Sequence, residues 1–174
     1  MRLPYWLKNL RHRARGLPQE LHRFAGVNVQ AQLSAVHIDR NGVRTDLGVI
    51  SRRVVTTVGV AWLATAFTNT VEAETLNYHD CGTGVGAEAT GNTAMGTAYG
   101  GARATGTQST PGSTNIYRSV GTVSFTSTLA ITEHGLFTAS SGGTLFDRSV
   151  FSAINVLNGD SIQFTWELTL PAGG

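Results

Sequence analysis

Residues 131–170 read ITEHGLFTASSGGTLFDRSVFSAINVLNGDSIQFTWELTL, and the last ten of them decide the fold class. Ile162, Phe164, Trp166, Leu168 and Leu170 fall on one phase, with Gln163, Thr165, Glu167 and Thr169 on the other. Successive side chains of a strand point to opposite faces, so this alternation predicts a strand with one apolar and one wet face. Asn158-Gly159-Asp160 in front of it supplies residues that tolerate tight-turn backbone angles. Residues 135–137 and 144–151 read as two earlier strands, divided by Ser140-Ser141-Gly142-Gly143. Three strands in succession close a sandwich, and the wet face of the last is free to meet neighbours in an assembly.

The rest of the composition agrees. The 174 residues suffice for one well-buried core, and 21 glycines with 14% charged residues favour a turn-rich β domain over a helical bundle. A hydrophobic fraction of 41% argues against a disordered chain. The single cysteine, Cys81, cannot form an internal disulfide and reads as a plain buried thiol made in a reducing cytoplasm. Lys8, Arg11, Arg13 and Arg15 interrupt any apolar signal region near the start, and the apolar run 54–67 is too short to cross a bilayer.

Charge divides the chain into two segments. Residues 1–24 carry six basic side chains against Glu20, a net of +5, and the remainder carries −3, together the overall +2. Residues 1–26 are therefore expected to be a basic helical arm, with 27–174 as a β-sandwich domain. Trp6, Lys8, Arg11, Arg13 and Arg15 are its candidate partner-binding residues. Such an arm docks on an acidic partner, a nucleic acid or a membrane surface, or it is a solvated helix or packs against its own domain or a sister copy. Six charges are too few for dedicated nucleic-acid recognition.

Within the domain, 27–38 and 43–50 read as a hairpin around Asp39-Arg40-Asn41-Gly42, with a phase change near Ala35-Val36 that predicts a bulge. Residues 57–68, capped by Thr56-Thr57, read as one helix that is apolar nearly all round and therefore buried; their β-branched side chains make a strand the competing reading. A short strand at 76–80 leads into a Gly/Ala/Thr-rich loop at about 82–115, long enough to be functional or an inter-subunit contact. Strand character resumes over 117–131.

Chemical motifs are weak. Gly82-Thr83-Gly84-Val85-Gly86 lacks the lysine of a phosphate loop and the spacing and helix of a dinucleotide fingerprint. His79-Asp80 and Glu133-His134 suggest ligands or an acid–base pair, but adjacent residues in a strand point to opposite faces. Glu133 and Arg148, on either side of the 140–143 turn, are expected to form a structural ion pair. No catalytic, metal or cofactor-binding residues are assigned.

The order of these features resembles a family of tailed-bacteriophage structural proteins, described as tail-fibre-like or head/tail decoration components. The likeness spans roughly 27–170. It is most specific in Glu133-His134-Gly135-Leu136-Phe137, Gly142-Gly143-Thr144-Leu145-Phe146-Asp147-Arg148-Ser149-Val150-Phe151 and Asn158-Gly159-Asp160-Ser161-Ile162-Gln163-Phe164-Thr165-Trp166. His79-Asp80-Cys81 departs from the small apolar residues more usual there, and the basic arm lies outside the pattern. The resemblance implies a virion part with no catalytic residues to carry over.

The resulting expectation is a mainly-β, antiparallel, jelly-roll-like sandwich with one buried helix, acting as a structural protein of the virion made in the host bacterial cytoplasm. Its partners would be major capsid or tail/neck subunits, with self-association, a trimer being the expected form, and no membrane or nucleic acid. Pro171-Ala172-Gly173-Gly174 follows the last strand without a shaft, which favours a decorating or connecting unit over a tail fibre or adaptor. The alternative from another class is a carbohydrate-binding sandwich with Trp166, Tyr117 or Tyr99 as a stacking platform.

Overall fold

The structure, a computed structural model, describes residues 30–52, 55–112 and 115–171. The arm residues Trp6, Lys8, Arg11, Arg13 and Arg15 lie outside them. The described chain is mainly β, with nine strands in two antiparallel sheets. The strands are β1 (Gln30–Ile38), β2 (Arg44–Ser51), β3 (Tyr78–Gly82), β4 (Ala104–Thr105), β5 (Thr107–Ser109), β6 (Ile116–Ser124), β7 (Leu129–Phe137), β8 (Leu145–Val156) and β9 (Ser161–Thr169). One sheet runs β2-β1-β9-β6-β5 and the other β4-β3-β7-β8.

The alternating strand β9 sits in the middle of the five-stranded sheet, paired along its length with β1 and β6. Ile162, Phe164, Trp166 and Leu168 are buried, and they meet Leu33, Ala35, Val123, Ile131, Leu136 and Phe146 in one core between the sheets. The ring of Trp166 is met edge-on by Phe146 at 5.6 Å, an arrangement favoured by the ring quadrupoles.

Local sequence signals act where their chemistry is local. Asp39 Oδ1 accepts from the amides of Asn41 and Val43, and this turn joins β1 to β2. The phase change at Ala35-Val36 coincides with a register shift between β1 and β2; β1 pairs with β9 without a break there, so the irregularity belongs to the β1–β2 ladder. The strand-like run 117–131 is divided at its centre, because the chain changes sheets there. Phe125 donates to Asp160 and accepts from Gly159, which fixes the corner against the turn before β9.

The helix α1 (Thr57–Ala66) departs from expectation in its burial: only Gly59 is buried. Thr56 caps it, its Oγ accepting from the Gly59 amide at 2.9 Å, and the Thr56 amide donates to Phe146. A Cβ on Gly59 would lie 2.5 Å from the Phe146 carbonyl oxygen, so glycine permits this backbone contact with β8. Trp62 adds an edge-to-face contact with Phe146 at 6.0 Å. The interior is already filled by Phe146, Phe164 and Trp166, so the helix lies against β8 and leaves Val60 (51% exposed) and Phe67 just beyond it (83%) in solvent.

Candidate functional site

The Gly/Ala/Thr-rich segment folds onto the outer face of β3, β7 and β8, and a carboxylate organises it there. Glu133 on β7 is fully buried and accepts hydrogen bonds from the backbone amides of Gly84 (3.1 Å), Gly96 (2.9 Å) and Thr97 (2.6 Å). Arg148 on β8 donates Nε to Glu133 Oε2 at 2.8 Å, and a second guanidinium nitrogen approaches the same oxygen at 2.7 Å. The remaining Arg148 donors reach the Gly86 carbonyl and Asn92 Oδ1. Burial by itself raises the Glu133 carboxyl, but the Thr97 and Gly96 amides and Arg148 outweigh it and hold the group below the usual carboxylate range.

This geometry gives the glycine-rich motif its meaning. A Cβ at position 84 would lie 2.3 Å from Glu133 Oε1, so the backbone can approach the carboxylate only as glycine. Gly84 of the motif, together with Gly96 and Thr97, forms an anion cradle whose anion is a side chain of the same domain. Thr132 Oγ1 donates to the Gly84 carbonyl and ties down the other side of the turn.

A second fastening lies at the far end of the segment. Arg103 pairs with Asp80 at 3.2 Å and donates to the carbonyls of Ala139 and Gly142, while its guanidinium carbon lies 3.4 Å from the centroid of the Phe137 ring. Beside it is an open cleft of about 320 Å³ lined by residues including Asp80, Met95, Ala98, Arg103, Phe137 and Gly143. Its charged groups are committed to each other and to backbone, so the cleft presents little chemistry to a ligand.

The neighbours of these acids point into the sandwich. His79 Nδ1 lies 3.0 Å from His134 Nε2, and His79 Nε2 lies 2.8 Å from Ser119 Oγ. All three residues are fully buried. Burial lowers His79 to about 3; burial and the adjacent His79 lower His134 well below the ordinary imidazole range. His134 Nδ1 is buried without a partner. A dry lone pair costs less than a dry N–H, which places the His134 proton on Nε2 and the His79 proton on its own Nε2, donating to Ser119. The order Ser–His–His superficially matches a nucleophile and relay. Enclosed on all sides and held neutral, it works as a polar joint linking β6, β3 and β7.

Asp147 completes the interior polar set. Ser149 Oγ donates to its Oδ1 at 3.2 Å, and the Trp166 indole N–H faces the same carboxyl, with Nε1 and Asp147 Oδ2 not closing a well-formed hydrogen bond. Burial pushes the Asp147 carboxyl up to about 8, with Ser149 and the Trp166 indole opposing, so it is largely protonated at neutral pH. Cys81 is also fully buried, and burial, followed by the charges of Asp80 and Glu133, pushes its thiol up to about 12.

The structure thus brings Glu133 and Arg148 together, and turns Asp80 and Glu133 away from the histidines beside them. The meeting of His79 with His134 has no signal in the linear sequence, because it depends on the β3–β7 register that sets Cys81 opposite His134. The three candidate stacking aromatics are placed differently. Trp166 is fully buried, Tyr117 is half-buried and hydrogen-bonds the Leu76 carbonyl, and Tyr99 rests on Phe125 at 5.2 Å. No family model, no curated protein and no solved structure matches this chain.

Proposed function

We propose that this protein is a structural component of a bacteriophage virion, a capsid-decorating or head/tail connecting unit that acts by binding neighbouring subunits. The observation that carries the reading is the contrast between its inward and outward surfaces. The charged groups of the four-stranded sheet are committed within the domain, whereas Val58, Val60 and Phe67 around α1 stand in solvent. Apolar side chains left exposed on a rigid scaffold suit a protein whose partner supplies the cover. The resemblance of the Glu133–Phe137 and Asn158–Trp166 segments to phage structural proteins points the same way. The partners would be capsid or tail/neck subunits, with Trp6, Lys8, Arg11, Arg13 and Arg15 as a second anchor and self-association as a further contact.

Quantitative mass spectrometry of particles from the genome that encodes the chain tests this. Hundreds of copies per particle indicate a capsid role, and a handful or a dozen indicate a neck or tail role. Complete absence from particles overturns the proposal. Phe67→Ser and Val60→Ser are expected to leave the melting temperature nearly unchanged while reducing incorporation. Deleting residues 1–24 is expected to reduce it further.

A further inference from the structure

We infer that two copies of this chain pair through β2, edge to edge and antiparallel about a twofold axis at Thr45, joining two five-stranded sheets into one. β2 is an outer strand of its sheet, and Arg44 to Val49 are all exposed. The other sheet edges are less suited: β4 and β5 have two and three residues, and the start of β8 is covered by Val55 and Thr56. The later part of β8, Val150 to Val156, carries no charge to fix a register.

The backbone of β2 is oriented for the pairing. The Asp39 amide donates to the Val43 carbonyl at 3.0 Å, and His37 lies opposite Thr45. Hydrogen-bonded and non-hydrogen-bonded pairs alternate in an antiparallel ladder, so Val43 and Thr45 direct their amides and carbonyls to β1. Those of Arg44 and Asp46 therefore point away from the sheet, where a second strand would sit. An antiparallel copy centred on Thr45 places Arg44 opposite Asp46 of that copy, and the reverse, so the outward groups meet each other twice.

The side chains agree with the backbone. The same register sets Arg44 opposite Asp46 on both sides of the axis. In the single chain Arg44 donates to Gln163 Oε1 at 2.8 Å and Asp46 Oδ1 accepts from the Gly48 amide, so pairing exchanges the neutral Gln163 contact for a charged one with Asp46 Oδ2. It also brings Val43 (62% exposed) opposite Leu47 (38%), the extra residue at the β1–β2 register shift, so this apolar contact lies at a bulge that ends the regular pairing. Opposite charges and apolar pairs across strands are the favourable combinations. A twofold contact of this kind is isologous and closes on itself, so the product is a dimer and not an open array. The inference does not depend on a virion role, because the pairing belongs to the isolated chain.

Sedimentation of the full chain, with circular dichroism as a fold control, tests it. The expected species is a concentration-dependent dimer. Arg44→Asp and Asp46→Arg each set like charges against each other at both pairs and should each weaken dimerisation by roughly tenfold or more. Mixed together, the two variants regain complementary charges and should form a heterodimer. Thr45→Cys should give a disulfide-linked dimer on oxidation, because Cα atoms of a non-hydrogen-bonded pair lie about 4.5 Å apart. A monomer at all concentrations, a trimer, or an oligomer indifferent to both charge reversals would overturn the inference. Absence of the wild-type chain from virions, with an intact dimer in solution, would count against the proposed function alone.

Discussion

Glu133 and His134 are separated by one peptide bond, yet they occupy opposite electrostatic regimes. Glu133 faces outward beneath the glycine-rich segment, where three amides and Arg148 keep it ionised. His134 faces inward against Phe164, at 4.6 Å between ring centroids, where nothing charged compensates and burial keeps it neutral. The pleat of β7 accounts for the division. The comparison shows that burial alone does not decide the state of a polar group; the number of dipoles and charges aimed at it does.

The sharpest way to break the ionised side is to remove its cation. Arg148→Met leaves Glu133 buried without its counter-charge, and a loss of about 3–5 kcal/mol in urea unfolding is expected for breaking such a pair. Glu133→Gln should also be costly, since it strands Arg148. Unchanged thermal unfolding in Glu133→Gln would mean that the pair is structurally idle. Gly84→Ala comes next. Its methyl group would push the carboxylate from the cradle, at a cost of about 1–3 kcal/mol, and should raise amide exchange across 84–97 before it affects the interior.

The neutral side is tested by pH, with a smaller effect per unit. The unfolded chain takes up protons on its histidines below about 6.5, which folded His79 and His134 resist, so stability falls as pH drops from 6.5. Asp147 acts in the opposite sense: it stays protonated in the fold up to about 8 but ionises above 3.8 when unfolded, so stability falls as pH rises between those values. Each group contributes roughly 1 kcal/mol per pH unit. Two histidines against one aspartate give a net rise with pH up to about 6.5 and a fall beyond it. Asp147→Asn should remove the fall between about pH 6.5 and 8 and steepen the acid limb, leaving the loss above about pH 9 that the buried Cys81 thiol brings. A wild-type profile without a maximum between pH 6 and 8 would show that these side chains are hydrated in the fold.

Much of the fold was legible because its signals are local. The alternation of 161–170 placed β9, Asp39 to Gly42 marked the hairpin, and the opposite faces of His79-Asp80 and Glu133-His134 followed from strand geometry. The partner of the glycine-rich segment was not legible. Its glycines report that backbone must approach something closely, but Glu133 lies some fifty positions away, and only the fold brings them together. The exposure of α1 was hidden for a related reason. An apolar sequence shows that side chains would gain from burial; whether space remains depends on how fully Phe146, Phe164 and Trp166 already occupy the interior.

By itself, then, the sequence determined the period of the strands, the sites of the turns and the side of each strand that avoids water. Those properties depend on residues close together along the chain. Tertiary structure alone decided which carboxylate is held by amides, which histidines meet, and which edge and apolar side chains remain uncovered. Each of these depends on the register between distant strands and on the volume left between the sheets, neither of which a local pattern can fix.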